Sequence, residues 1–207
     1  MGIFVVFEGP DGSGKSTACQ AVYDHYRAQG LRVLHSREPG GTPIGEMIRQ
    51  ILLDPKNKAM GLRTEALLYA ASRAQHVEEK IRPFLEEGGL VLSERYVFSS
   101  LVYQGMARGL GLEGVQAIND FAIQGVKADL TLYLDPGEAS SFHRILDRDL
   151  DRLELEGEDF NQGVRAHYMV LAQQKRNEMT FIDATLPKDQ VAQACIDAIE
   201  EKRREKK

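Results

Sequence analysis

What this chain lacks narrows its class first. Nothing in its 207 residues approaches the ~18 consecutive apolar residues of a membrane-spanning helix, so no membrane partner is expected. Cysteine is scarce. Cys19 and Cys195 stand far apart and in no metal-like spacing, which fits a reducing, cytoplasmic setting rather than a disulfide framework. The apolar start, MGIFVVFEGP, has neither a basic flank nor a small-residue cleavage site and does not read as a signal peptide. A basic excess is also missing: 26 Lys+Arg face 31 Asp+Glu, for a net charge of −5. That balance argues against a general nucleic-acid binder. It does not argue against a small phosphorylated substrate, which a handful of positioned arginines can hold. Repeats, low-complexity stretches and linkers are absent too, so residues 1–207 read as one domain. A chain of this length buries roughly 70% of its unfolded surface, so neither disulfides nor a structural metal are needed for stability.

What is present is an alternation of strand and helix patterns. Residues 3–7 (IFVVF), 31–35, 90–93, 130–134 and 179–182 read as strands. Helical patterns cover about 15–29, ending at the capping Gly30, then 44–52, 64–87, 113–124, 138–147, 161–176 and 188–204. Pro83 is expected to kink or divide the long one. Alternation of this kind predicts right-handed crossovers and a mainly parallel sheet covered on both faces.

One motif carries most of the chemistry. Gly9-Pro10-Asp11-Gly12-Ser13-Gly14-Lys15-Ser16 fits G-x-x-x-x-G-K-[ST] and lies between a strand and a helix, as a phosphate-binding loop requires. Its glycines let backbone N–H groups curl around phosphate oxygens, and the following helix adds its positive end. Lys15 offers a compact charge to the β- and γ-phosphates, and Ser16 a hydroxyl to Mg²⁺. By itself this separates neither a kinase from a GTPase switch nor either from an ATPase or motor. A guanine-reading N-K-x-D signature, which a GTPase would carry late in the chain, is absent.

Three further stretches bear on the acceptor. Ser93-Glu94-Arg95 ends a buried strand at the sheet edge where open α/β folds bind ligands. Glu94 there either holds Mg²⁺ through water or positions a phosphate by holding Arg95, whose guanidinium fork matches phosphate geometry. Arg37-Glu38-Pro39-Gly40-Gly41-Thr42 is a tight turn after the second strand. Tyr69 and Arg73, four apart on one helical face, either grip a nucleobase or divide into a core tyrosine and a surface arginine.

Taken in order, FEGPDGSGKST, REPGGT with IGEMIRQILL, LLYAASRAQH, SERYVFSSLVYQG, RDLDRLE and EDFNQGVRAHY resemble the bacterial thymidylate kinase (dTMP kinase) family from Phe7 to Asp183. The resemblance implies a P-loop NTPase architecture: three layers, α/β/α, around a five-stranded parallel sheet, with a short lid over about 144–160. It implies transfer of the ATP γ-phosphate to dTMP, giving dTDP and ADP, with Mg²⁺, in a cytoplasmic homodimer. By the same resemblance Gly9–Thr17, with Lys15, Ser16 and Thr17, bind ATP. Asp11 meets the sugar 3′-hydroxyl or organises the reacting phosphates. Arg95, Arg49 and Arg37 hold the dTMP phosphate, with Glu38 near the sugar. Tyr69 stacks on thymine, Arg73 bonds its O4, and Ser100, Tyr103 and Gln104 complete the pocket. No arginine lies between Gly9 and Gly14, so the catalytic cation is expected from the lid, at Arg148 or Arg152. Arg144 and the turn at 183–185 are candidates for adenine. Two departures from the family pattern stand out: Glu94 replaces its usual Asp, and Tyr69 its usual Phe.

Overall fold

The computed structural model describes residues 2–137 and 151–206. Strands β1 (Ile3–Glu8), β2 (Val33–Arg37), β3 (Leu90–Glu94), β4 (Leu130–Asp135) and β5 (Thr180–Asp183) form one parallel sheet in the order β2-β3-β1-β4-β5. This is the five-stranded parallel sheet that the pattern and the resemblance imply. Side chains alternate along the buried β1. Val5 and Phe7 join the core under α1 (Lys15–Ala28) and α8 (Lys188–Glu205), while Phe4 and Val6 face the opposite layer with Val77, Ile81 and Ile123. That opposite layer holds α3 (Leu62–His76), α4 (Arg82–Glu86) and α6 (Leu112–Ile123), with α2 (Pro43–Leu53) packed on α3. A further cluster, built on Tyr103, Tyr133 and Tyr168, seats α7 (Glu158–Gln174). Among the described residues no helix is long and apolar enough to cross a membrane.

Three local departures have physical causes. β2 begins at Val33 because α1 closes with a two-bond turn that consumes the apolar Leu31. Gly30 N–H donates to Arg27 O at 3.0 Å and Leu31 N–H to Tyr26 O at 3.1 Å, with Gly30 at φ 77°. The shift carries Arg37 to the strand's last position, level with Glu94 on β3. The long helical pattern is broken by a π-helical turn at Val77–Ile81, which leaves Pro83 in the first turn of α4, where its missing N–H costs nothing. Residues 97–107, which carry no helical pattern in the sequence, form α5 (Val97–Ser100) and a π-helical continuation, Leu101–Ala107. A remote carboxylate explains this. Glu8, fully buried at the end of β1, accepts from the Tyr96 N–H at 2.9 Å and the Ser99 N–H at 3.1 Å, satisfying amides that begin α5. The expected helix at 138–147, with Arg144 and Arg148, lies outside the described residues.

Candidate active site

The loop from Gly9 to Gly14 joins β1 to α1 at the sheet's C-terminal edge. A side chain at Gly9 would put its Cβ 2.7 Å from the Leu134 carbonyl, and Gly14 precedes α1 in the left-handed region at φ 90° with open space before it. Both therefore require glycine. Lys15 folds over the loop and donates to Gly9 O at 2.9 Å and Pro10 O at 2.7 Å. It is only 7% exposed. Burial, reinforced by the Arg95 guanidinium, pushes its ammonium down to about 7 despite the pull of Asp11, Glu8 and Glu94. Ser16 and Thr17 are exposed to the cleft, and the Ser16 hydroxyl donates to the Glu94 carboxylate. Glu94 also contacts His35 Nε2 at 2.9 Å.

Arg95 sits directly after β3 at φ 70°, a conformation that a non-glycine residue adopts at a cost. Surrounding bonds hold it there. Its N–H donates to Phe7 O at 2.9 Å, and its guanidinium donates to Asp11 at 2.6 Å, Ser99 Oγ at 3.0 Å and Tyr103 Oη at 3.2 Å. Burial opposes the Asp11 charge, but Arg95, Lys15 and the Tyr103 hydroxyl outweigh it and hold the carboxyl at about 2. The pair is therefore ionised throughout the physiological range.

Farther along the same cleft, Arg73 is 1% exposed. It donates to Glu38 at 2.7 Å, Ser100 Oγ at 2.9 Å and the Tyr96 carbonyl at 2.8 Å, and to Asn119. Glu38 is also gripped by His76 Nδ1 at 2.9 Å. Glu38 thus meets the cleft as the counter-ion of Arg73. The alternative of a core tyrosine and a surface arginine is reversed: Arg73 is the buried member, and Tyr69 is half-buried in the cleft wall. Nearer the rim, Arg49 donates to Pro39 O at 2.9 Å and Arg37 pairs with Glu46 at 3.0 Å.

The cleft encloses about 720 Å³. Its lining brings together Asp11, Gly12, Gly14, Lys15, Ser16, Thr17, Arg37, Glu38, Arg49, Tyr69, Arg73, Glu94, Arg95, Ser100, Tyr103 and Gln104. Gly9, Pro10 and Ser13 shape the loop from behind. Arg152 and the turn at 183–185 are not in the lining, though Asp151 and Leu153 are. Arg152 points instead to Glu65, at 2.6 Å, and to the Leu52 carbonyl, at 2.7 Å. Its guanidinium is engaged away from the phosphate-binding loop because Glu65, fully buried, is the stronger local attractor. Glu65 further accepts from Gln104 at 3.0 Å and from Arg108 at 3.3 Å.

Sequence reasoning passed over Glu8, Glu65, His76 and Asn119. A signal for Glu65 existed: residues 65, 69 and 73 succeed one another by one helical turn, so the face that carries Tyr69 and Arg73 begins at Glu65. No local signal marks Asn119, whose partner lies on another helix.

Comparison with known proteins agrees with this geometry. The Thymidylate kinase family model matches residues 7–195. The chain is 49% identical over 198 residues to a thymidylate kinase of Finegoldia magna, covering 95% of this chain and 97% of that one. It is 45% identical over 206 residues to a thymidylate kinase of Enterococcus faecalis, covering 98% and 97%. With the Gly9–Gly14 loop and a buried Arg73 brought to one cleft and matches of this extent, the chain belongs to the thymidylate kinase family of phosphotransferases.

Proposed function

We infer that this cleft performs the reaction of its family, phosphorylation of dTMP to dTDP, with ATP as donor. The observation that carries the division of labour is Arg95. It is fixed by Asp11 of the phosphate-binding loop, and it lines the same cleft as Arg73 and Tyr69. Donor phosphates bind the loop amides with Lys15, Ser16 and Thr17; Lys15 exchanges its carbonyl contacts for phosphate oxygens. Arg95, Arg49 and Arg37 receive the acceptor phosphate. Tyr69 stacks on the thymine ring, and Arg73 and Gln104, oriented by Glu38 and Glu65, meet its polar edge. Ser100 and Tyr103 fill the sugar side.

Ser16 and Glu94 offer hard oxygen donors in mutual contact beside the loop, a set that fits Mg²⁺. When bound there, the ion neutralises charge on the phosphate oxygens. The acceptor phosphate is already anionic, so alignment and positive charge supply most of the catalysis and a general base is not required. Contact with a single methyl group is worth only ~10–200-fold in preference for dTMP over dUMP. The two free cysteines are buried, in keeping with a cytoplasmic setting. Exposed Ile44, Met47 and Ile51 on α2, Leu67 on α3 and Phe121 on α6 support pairing of two copies through this helical layer.

The test is an ADP-release assay with a panel of nucleoside monophosphates as acceptors. The expected outcome is strongest turnover with dTMP. Weak turnover with dTMP beside strong turnover with dGMP or dCMP would overturn the substrate assignment.

A further inference from the structure

Glu94, the residue that departs from the family pattern, is not alone. α1 contributes Cys19, one helical turn beyond Lys15, β2 contributes His35, and β3 contributes Glu94 itself. One ligand atom from each, Sγ, a ring nitrogen and a carboxylate oxygen, lies within 4.8 Å of the others. The His35 Nε2 to Glu94 Oε1 separation is 2.9 Å. Cys19 is fully buried, and the His35 and Glu94 side chains are 21% and 14% exposed.

Bond lengths of ~2.3 Å to sulfur and ~2.0–2.2 Å to nitrogen and oxygen place tetrahedral ligand atoms roughly 3.3–3.7 Å apart. The sulfur side therefore contracts by up to roughly 1–1.5 Å, and the hydrogen-bonded His35–Glu94 pair, at 2.9 Å, opens by roughly half an ångström to admit an ion between its atoms. A helix and two paired strands hold the three residues, so the arrangement does not depend on a loop. The charges also close: a thiolate and a carboxylate balance a divalent cation, with neutral imidazole as the third ligand.

We propose that Cys19, His35 and Glu94 form a binding site for a thiophilic divalent cation of the zinc type, which shares Glu94 with the oxygen-donor pair at Ser16 and adds sulfur and nitrogen ligands of its own. Mixed sulfur, nitrogen and oxygen donors select such an ion over Mg²⁺, which prefers oxygen ligands and keeps its waters. Binding replaces the Cys19 S–H bond with a sulfur–metal bond and releases the proton to solvent. A water takes the fourth position, and the Ser16 hydroxyl keeps its bond to Glu94. An ion here draws Glu94 toward sulfur and so couples the site to the mouth of the phosphate-binding loop.

Cobalt(II) added to the metal-free full-length chain, without nucleotide, reads this directly. The expected result is a near-ultraviolet thiolate-to-cobalt band with tetrahedral visible bands, saturating at one equivalent. Zinc should abolish the band, and a large excess of Mg²⁺ should leave it. Cys19→Ser should remove it, while Cys195→Ser should keep it. His35→Gln, at a half-buried position beside Tyr23, should weaken cobalt binding by at least the ~10–100-fold cost of losing even an outer-shell partner. Absence of the band, its survival in Cys19→Ser or undiminished in His35→Gln, or its displacement by Mg²⁺ would overturn the proposal. None of these outcomes bears on the kinase reaction, because no nucleotide takes part.

Discussion

Replacing Glu65 with alanine tests how much the acceptor pocket depends on one buried charge. The carboxylate is fully buried and accepts from Arg152 at 2.6 Å, Gln104 at 3.0 Å and Arg108 at 3.3 Å. Alanine leaves the Arg152 guanidinium, 7% exposed, without its acid and the buried Gln104 amide without an acceptor. Arg108 keeps Glu156, at 2.7 Å, and loses less. Removing one member of a buried ion pair costs about 3–5 kcal/mol. In a domain of this size each kcal/mol shifts Tm by ~2–4 °C, so a fall of roughly 6–20 °C is expected. Glu65→Gln keeps an acceptor of the same shape and should fall between the wild type and alanine. Replacing both partners, Glu65→Leu with Arg152→Met, should recover much of the loss, because no charge is then stranded. Kinetics should separate from stability: Gln104 loses its orientation, so KM for dTMP rises while KM for ATP stays near its wild-type value. Thermal melts and initial rates on the same preparations measure both. A Glu65→Ala melt within ~2 °C of wild type would refute the reasoning, since the change expected from a stranded buried cation is several times larger.

The ammonium of Lys15, lowered to about 7 by burial and Arg95, should be restored to full protonation by bound phosphates. Free enzyme above that pH must take up a proton to bind ATP, so affinity should fall by up to ~10-fold per pH unit between the free and bound values. Calorimetry in buffers of different ionisation heat should show net proton uptake at about pH 8, and none observed would refute it. Arg148→Ala should lower kcat by ~10³-fold or more with little change in ATP binding. Arg152→Ala should instead lower Tm and raise KM for dTMP, through Glu65. An unchanged kcat in Arg148→Ala would remove that residue from the catalytic set.

Much of this molecule is legible in sequence wherever physics is local. The strand–glycine loop–helix order, the Gly30 cap and the parallel alternation all depend on neighbours a few residues apart, and the structure follows them. The departures arise where a distant group decides. VFSSLVYQ, β-branched and aromatic in content, carries no helical pattern, yet it is helical, because Glu8, about ninety positions away in the chain, satisfies the amides that start the helix. Arg73 reads equally well as a surface residue until Glu38, Asn119 and Ser100, from other elements, surround it. Arg152 reads as a catalytic cation by its motif and is held elsewhere by an acid that the motif does not contain.

The same partners explain how an acidic chain prepares a site for two anions. Cations in the cleft come with carboxylates supplied by the protein: Arg95 with Asp11, Arg73 with Glu38, Arg37 with Glu46. Lys15 leans on backbone carbonyls, with Asp11, Glu8 and Glu94 all pulling on its charge. Without these acids a cluster of like charges in a partly dry cleft would repel itself, and Lys15, already close to losing its proton, would do so. With them the cations are held in place in advance, and the binding we propose is an exchange of anionic or carbonyl partners for phosphate oxygens rather than a collapse of free side chains. Exchange costs less reorganisation than recruitment. The net charge of −5 is therefore compatible with anion binding: some of its acids are what keep the cleft's positive groups charged and in place.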